Sequence, residues 1–139
     1  MLGKLARYLR ILGYDTIFTE EEDNKILDIY RSKNCVLLTR DKLLCERAGR
    51  YCFFIKSSNI GEQLMQLAMD IGVKLCLPKE PIRCTICNAP LTKLGYVEKH
   101  GMVWRCPRCG QHYWYGSHII NIEKFLSSTR KRLSLLNEC

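Results

Sequence analysis

Two pairs of cysteines have the spacing of a metal site. Cys84 and Cys87 enclose two residues, and Cys106 and Cys109 repeat this arrangement after an interval of 18 residues. Each Cys-x-x-Cys pair can form a tight turn that presents two thiolates to one ion. Two such turns complete a tetrahedron of sulfur atoms about 2.3 Å from zinc. Four thiolates leave no coordination position for a substrate, so the pattern predicts a structural zinc ion. The alternatives are two redox-active pairs or two disulfides.

Two aspartates are candidates for a second kind of metal site. Asp41 lies just after the apolar run Cys35–Thr39, and Asp23 precedes the second predicted helix. Because ligands of an open parallel sheet bind beyond the carboxyl ends of its strands, both carboxylates are expected at one edge. Paired carboxylates can hold Mg²⁺ or Mn²⁺, and such ions activate water and stabilise phosphoryl displacement. The alternative is that each aspartate only caps a helix.

Basic side chains in two regions are candidates for contacts with phosphates. Residues 1–81 carry 13 Lys and Arg against 11 Asp and Glu, whereas residues 82–139 carry 9 against 3, so most of the formal charge of +8 belongs to the second region. Such an excess is typical of nucleic-acid-binding proteins, although a basic protein need not have a specific partner. The predicted RNA-binding residues are Arg40, Lys42, Arg130, Lys131 and Arg132.

Composition limits the class of protein. The chain has 139 residues, 47% of them hydrophobic and 26% charged, and it contains no apolar run of membrane-spanning length. Its first residues are amphipathic with three basic side chains, which is not the pattern of a signal peptide.

Nine cysteines without a secretion signal favour a reducing, cytoplasmic location and metal binding over a disulfide framework. The cysteines outside the two pairs are interpreted mostly as small buried hydrophobic residues; they are Cys35, Cys45, Cys52, Cys76 and Cys139.

Helices and strands alternate in the first half of the chain. The first predicted helix covers 2–13, with Gly13 as its C-terminal cap. Within it, Leu5 and Leu9 share an apolar face, and Arg7 and Arg10 share a basic one. The apolar strands lack alternation, which is typical of a parallel sheet covered on both faces. The remaining predicted helices are 24–33, 42–48 and one capped by Ser58 or Asn59 that ends at Ile71; the strands are Asp15–Phe18, Cys35–Thr39 and Tyr51–Ile55.

A proline-containing linker at 78–81 separates this α/β domain, residues 1–77, from a zinc ribbon over 82–118. The 18 residues between the cysteine pairs suit a hairpin that brings the pairs together. The predicted strands of the ribbon as a whole are Met102–Arg105 and Gln111–Tyr115. The aromatic side chains of Tyr113–Tyr115 could stack on bases or pack the core of the ribbon. The last segment, 119–139, is predicted as a basic helix from Asn121 to about Leu136.

Four parts of the chain resemble a known family. They are Met1–Asp15, Leu37–Asp41, the two cysteine pairs and Tyr113–His118. Together they are similar to the PIN-like ribonucleases with a C-terminal zinc ribbon, a family named after the C-terminal domain of the mut-seven exonuclease. The resemblance covers the chain to about residue 120. It implies a PIN-like parallel sheet flanked by helices, a metal-dependent site of clustered aspartates that includes Asp23 and Asp41, and RNA as the substrate.

The sequence departs from the family at its start. Members usually begin with a strand that carries an aspartate two residues before the position of Met1. The resemblance therefore leads to two alternative expectations: residues upstream supply this strand and acid, or the protein has lost one catalytic carboxylate.

Three functions remain open from the sequence. The leading interpretation is a metal-dependent endoribonuclease, weakened if the first aspartate is missing. The second is a non-catalytic protein that binds RNA or a ribonucleoprotein through its zinc ribbon and basic tail. The third is DNA binding, because phosphate contacts alone do not distinguish the two polymers.

Overall fold

The computed structural model describes residues 2–133 and residue 139. Within these residues the chain forms five α-helices, five β-strands and two separate sheets. The helices are α1 (Gly3–Ile11), α2 (Asp23–Lys33), α3 (Lys42–Ala48), α4 (Ile60–Ile71) and α5 (Ser117–Arg132). The strands are β1 (Leu37–Thr39), β2 (Cys52–Phe54), β3 (Thr92–Val97), β4 (Gly101–Arg105) and β5 (His112–Tyr113).

The helices begin and end where local chemistry dictates. Asn59 precedes α4 and its side chain accepts a hydrogen bond from the Glu62 backbone N–H, as predicted for an N-cap. After α1 the chain turns at Gly13, whose φ of +96° favours glycine. A Cβ at this position would also lie 2.9 Å from the Ile82 side chain, at the start of the ribbon. Gly13 therefore permits both the turn and the close approach of the two parts of the chain.

Strands β1 and β2 form a parallel pair joined by α3, with Leu37 opposite Cys52 and Thr39 opposite Phe54. The predicted α/β class and parallel sheet are thus confirmed. Both strands are shorter than predicted, and their residues are only half-buried. Among the described residues this sheet has two strands, so one edge of β1 has no strand beside it.

The predicted strand Asp15–Phe18 is wrong. This segment belongs to no sheet, and Ile17 and Phe18 are 50% and 38% exposed. The Thr16 N–H donates to the side chain of Asn88 instead of to a neighbouring strand. A groove of about 730 Å³ lies between this segment and β1, with side chains of α1 and α4 in its lining. The residues of the segment have β propensity, but among residues 2–133 and 139 no strand pairs with it.

The main core is built from α1, α4 and the C-terminal helix. Leu5 of α1, Leu64 of α4 and Leu126 of α5 are almost fully buried in one cluster. Helix α5 begins at Ser117, four residues before the predicted start, and it packs against α4 through its apolar face. The predicted end at about Leu136 lies outside the described residues.

The ribbon is an antiparallel sheet in the order β3-β4-β5. The predicted hairpin between the cysteine pairs is confirmed, because β3 and β4 pair from Thr92 opposite Arg105 to Val97 opposite Gly101. Strand β3 was not predicted, and β5 is shorter than the predicted strand Gln111–Tyr115.

Four of the five remaining cysteines are not the reduced hydrophobic residues that the sequence suggested. Cys45 and Cys52 form a disulfide between α3 and β2, and Cys76 and Cys139 form a second one. The α3 crossover brings the first two Cα atoms to 5.5 Å, within the usual range for a disulfide. Cys35 is free but exposed.

None of the helices in the described part of the chain combines the length and the apolar character needed to cross a membrane.

Candidate functional site

The fold brings the four predicted zinc ligands together. The sulfur atoms of Cys84, Cys87, Cys106 and Cys109 all lie within 4.8 Å of one another. Each pair sits in a tight turn: the Asn88 N–H donates to the carbonyl of the first cysteine of one pair, and the corresponding bond closes the turn of the other pair. The four-thiolate set can hold a metal ion such as zinc, and it leaves no ligand position for a substrate.

Two of these thiols have lowered pKa values and two have raised ones. Burial opposes ionisation of Cys106, but hydrogen bonds from the Cys109 backbone N–H and the Cys87 thiol outweigh it and lower the pKa to about 6. In Cys84, burial is likewise outweighed, chiefly by the Tyr113 hydroxyl, and the pKa is lowered. A backbone N–H lowers the pKa of Cys109, but burial and hydrogen bonds to neighbouring thiols raise it to about 11. The pKa of Cys87 is raised despite a backbone hydrogen bond, because Cys106 favours its protonated form. Two of the four thiols thus ionise more readily than the other two, because each proton shared between neighbouring sulfur atoms favours the thiolate of one and the thiol of the other.

Tyr113 belongs to the core of the ribbon. Its hydroxyl lies 3.0 Å from the Cys84 sulfur and accepts a hydrogen bond from the Thr85 N–H at 3.0 Å. Burial, followed by the hydrogen bond to Cys84, raises the pKa of Tyr113 to about 12. Of the two open interpretations of the aromatic run, core packing is therefore the correct one for this residue. Trp114 stacks on His100 instead, with ring centroids 4.2 Å apart.

Arg10 joins the first cysteine turn to the α/β part of the chain. Its side chain is buried, donates from Nε to the Thr16 carbonyl at 2.9 Å, and donates from Nη1 to the carbonyls of Thr85 and Ile86, each at 3.1 Å. The last two residues lie between the ligands Cys84 and Cys87. The sequence placed Arg10 on a basic helix face together with Arg7, and its buried role was missed.

Asp41 lies at the carboxyl end of β1, as the sequence predicted, and it is the N-cap of α3. Its carboxylate accepts the Leu44 N–H at 3.1 Å, and its own N–H donates to the Thr39 hydroxyl at 3.0 Å. Asp41 therefore caps a helix, which is the structural part of the alternative expectation. It does not exclude a metal, because the exposed carboxylate has further lone pairs.

Asp23 occupies the first turn of α2 and forms an exposed ion pair with Arg47 of α3, at 3.7 Å. Among residues 2–133 and 139, the four cysteines are the only group of three or more His, Cys, Asp or Glu side chains close enough to hold one ion. The catalytic roles of Asp23 and Asp41 stay predictions.

A model of the Mut7-C RNAse domain matches residues 1–126. The chain belongs to this family. The match extends beyond residue 120, where the resemblance seen in the sequence ended, and includes the first part of α5. Neither the curated proteins nor the solved structures provide a match to the chain. Membership of the Mut7-C family indicates a nuclease-like role and RNA as the class of substrate.

The predicted RNA-binding residues of this Mut7-C domain differ in their surroundings. Arg130 donates to the Leu75 carbonyl and to Glu123, both at 2.6 Å, and only 16% of its side chain is exposed. Lys131 and Arg132 are exposed at the end of α5. Next to Asp41, Arg40 is half-buried and Lys42 is exposed. Lys42, Lys131 and Arg132 therefore have the access to solvent that a phosphate contact requires.

Proposed function

We propose that this Mut7-C RNAse domain is a metal-dependent endoribonuclease whose site lies at the carboxyl end of β1. The family match over residues 1–126 is the observation that carries the proposal. Asp41 supports it by its place, since ligands of parallel sheets bind at this edge. Asp23 is the second acid, and it is held next to α3 by its ion pair with Arg47.

In this proposal each side chain has a defined task. The carboxylates of Asp41 and Asp23 would hold Mg²⁺ or Mn²⁺, which supplies an activated water and neutralises charge on the phosphate. Water would lose a proton and add to phosphorus while one phosphorus–oxygen bond of the RNA backbone breaks, and the leaving oxygen would take up a proton in exchange. The exposed Lys42, and Arg40 through the exposed part of its half-buried side chain, flank Asp41 and would bind the non-bridging phosphate oxygens, whose negative charge grows during the reaction.

We also propose that the four cysteines hold a structural zinc ion. The purified protein should contain about one zinc per chain. Cys84→Ser and Cys109→Ser should each unfold residues 82–116, because binding energies of roughly 10–16 kcal/mol are typical of such sites. Metal analysis together with limited proteolysis tests this, and a zinc-free protein with a folded ribbon would refute it.

A second candidate function is RNA binding without catalysis. It is favoured by one observation: the described residues contain no group of three carboxylates within ligand distance. In that case the zinc ribbon and Lys131 with Arg132 would bind RNA, and Asp41 would serve only as a helix cap.

Cleavage of single-stranded RNA in the presence of Mn²⁺ distinguishes the two functions. The parent should cleave RNA only when the metal is present, and Asp41→Asn should not. Asp28→Asn is the matched control, because Asp28 is an exposed aspartate within α2. Single-stranded DNA of the same sequence tests the preference for RNA. Metal-independent binding without cleavage, equal in all three proteins, would support the second candidate.

A further inference from the structure

Arg10 is a buried cation whose hydrogen-bond partners in the described part of the chain are all backbone carbonyls. It is 8% exposed, and its three hydrogen bonds go to the carbonyls of Thr16, Thr85 and Ile86. None of the ion pairs among the described residues involves it. A buried guanidinium without a carboxylate is costly, so its charge needs compensation from another source.

The two carbonyls in the ribbon belong to peptide groups that also contact a metal ligand. The Thr85 carbonyl shares its peptide group with the Ile86 N–H, and the Ile86 carbonyl shares its own with the Cys87 N–H. Both N–H groups belong to the turn that presents the Cys84 sulfur, which the Asn88 N–H closes on the Cys84 carbonyl, and both favour the thiolate form of Cys84. Each peptide group therefore has the Arg10 guanidinium at its oxygen end and the Cys84 sulfur at its hydrogen end.

This arrangement strengthens both kinds of hydrogen bond. A cation at the carbonyl oxygen polarises the peptide group, and the N–H then becomes a better donor to a thiolate. Four thiolates around one zinc ion carry a net charge of −2. The dipoles of the two peptide groups lie between this negative centre and the positive guanidinium of Arg10, and they are aligned so that both charges are stabilised. Groups behind the ligands orient them and tune their affinity for metal in this way.

We propose that Arg10 is a positioning residue of the four-cysteine metal centre, which it supports through the Thr85–Ile86 and Ile86–Cys87 peptide groups. The inference rests on metal binding by the cysteines and not on ribonuclease activity. It makes metal affinity of the ribbon depend on a residue of α1, 74 positions before the first ligand. By reciprocity, bound metal also holds Arg10, and with it the Thr16 carbonyl in the wall of the groove.

Zinc affinity of the full chain, measured by competition with a chromophoric chelator, tests the proposal. Arg10→Gln removes the charge and should weaken zinc binding by about 10–100-fold. Arg10→Lys keeps the positive charge but loses the planar guanidinium, which donates to several carbonyls in a fixed geometry. This variant should therefore retain part of the zinc affinity. Arg7→Gln, an exposed position on the same helix, should bind zinc like the parent.

The variant Asn88→Gly distinguishes support of the metal centre by Arg10 from a general effect of attaching the ribbon to the α/β part of the chain. The Asn88 side chain accepts from the Thr16 N–H at 2.9 Å and donates to Asp15 at 2.7 Å, so it also links the two parts of the chain. Its φ of +72° suits glycine, so the backbone of the turn is preserved. If Arg10 acts through the two peptide groups, Asn88→Gly leaves zinc affinity unchanged. The sulfur-to-cobalt absorption of the Co²⁺-loaded protein should shift in Arg10→Gln alone.

The possible failures are distinguishable. A parent protein with no zinc affinity overturns the metal centre itself and this inference with it. A folded Arg10→Gln variant that binds zinc as tightly as the parent overturns only the role of Arg10, as does an equal loss in Asn88→Gly. If Arg10→Gln does not fold, the comparison of Arg10→Lys with Asn88→Gly decides: weaker binding in the lysine variant alone supports the proposal, and equal binding overturns it.

Discussion

The Asp41 carboxylate accepts a hydrogen bond from the Leu44 backbone N–H at 3.1 Å and thereby caps α3. The candidate catalytic acid thus also has a structural role, and a substitution must separate the two. Asparagine caps helices about as well as aspartate, whereas alanine does not. We therefore expect Asp41→Asn to retain the stability of the parent within about 0.5 kcal/mol, and Asp41→Ala to lose about 1 kcal/mol.

Denaturant unfolding of both variants, measured beside Mn²⁺-dependent RNA cleavage, checks this expectation. Both should lose cleavage, although only the alanine variant loses stability. If Asp41→Asn cleaves RNA at the parental rate, Asp41 is a helix cap and not a metal ligand.

The basic end of α5 leads to a second prediction, for RNA affinity. Neutralising the exposed Lys131 and Arg132 together should flatten the slope of log affinity against log salt by about 1.4 for single-stranded RNA, since each phosphate contact contributes roughly 0.7.

Arg130→Gln is the contrasting variant, because Arg130 is bound to the Leu75 carbonyl and Glu123. It should leave the slope unchanged and cost about 1–3 kcal/mol of stability. Fluorescence anisotropy at several salt concentrations measures the slopes, and a slope that changes only with Arg130 would contradict the assignment.

The sequence predicted correctly those elements whose ends are set by residues close by in the chain. Helix α3 was predicted at its observed limits, because Asp41 caps its start and Gly49 follows its end. The α/β class and the convergence of the four cysteines followed equally from periodicity and spacing. These features depend on residues that are close together in the sequence.

Features with a weak local pattern, or with partners far away in the sequence, could not be predicted. Strand β3 is mostly exposed and has an irregular register near Gly95, so its apolar pattern is weak. The run Asp15–Phe18 has strand-forming residues, but none of the strands in the described part of the chain pairs with it. The partners of Arg10 in the ribbon are 75 and 76 residues away, so helical periodicity alone placed it with the exposed Arg7.

The pKa of Tyr115 leads to a third prediction, on alkaline pH. Its hydroxyl donates to the Pro78 carbonyl at 2.9 Å, and burial, with a smaller effect from the Glu80 carboxylate, raises its pKa from 10.0 to about 12. The folded state therefore binds this proton more tightly than the unfolded state does. The resulting stability is complete below pH 10 and is lost as the pH rises from 10 to 12.

Tyr115→Phe should accordingly cost about 0.5–1.5 kcal/mol at neutral pH, from the lost hydrogen bond, and less as the pH rises above 10. Urea unfolding of parent and variant at a series of pH values measures this difference. A difference that stays constant through pH 12 would show that the fold does not protect the phenol.

The last prediction concerns the groove beside β1. The Leu37 N–H donates to the Tyr51 carbonyl, and the Ile55 N–H donates to the Thr39 carbonyl. In a parallel ladder these bonds alternate along the strand, so the N–H and C=O of Leu38 point away from β2, toward the groove. The groove thus offers a backbone edge, together with apolar side chains of Leu5, Leu9, Leu67 and Ile71. An additional strand needs both a free backbone edge for hydrogen bonds and an apolar surface for its side chains.

We predict that a segment preceding Met1 occupies this groove as a strand, since Leu2 lies in the lining of the groove. By the family resemblance, it would also bring an aspartate to the edge where Asp41 lies. The protein expressed with the in-frame upstream codons should be more stable than residues 1–139 by at least about 1–3 kcal/mol, the cost of one buried unpaired backbone group.

The matched control replaces the upstream aspartate by asparagine. It should keep the gain in stability but lose the gain in Mn²⁺ affinity and RNA cleavage, because packing depends on the strand and metal binding on the carboxylate. Thermal unfolding, Mn²⁺ titration and RNA cleavage of the three proteins separate these effects. If the extended protein is no more stable than the short one, and amide exchange at Leu38 is equally fast in both, the groove does not receive this strand and the PIN-like arrangement of the sheet is incorrect.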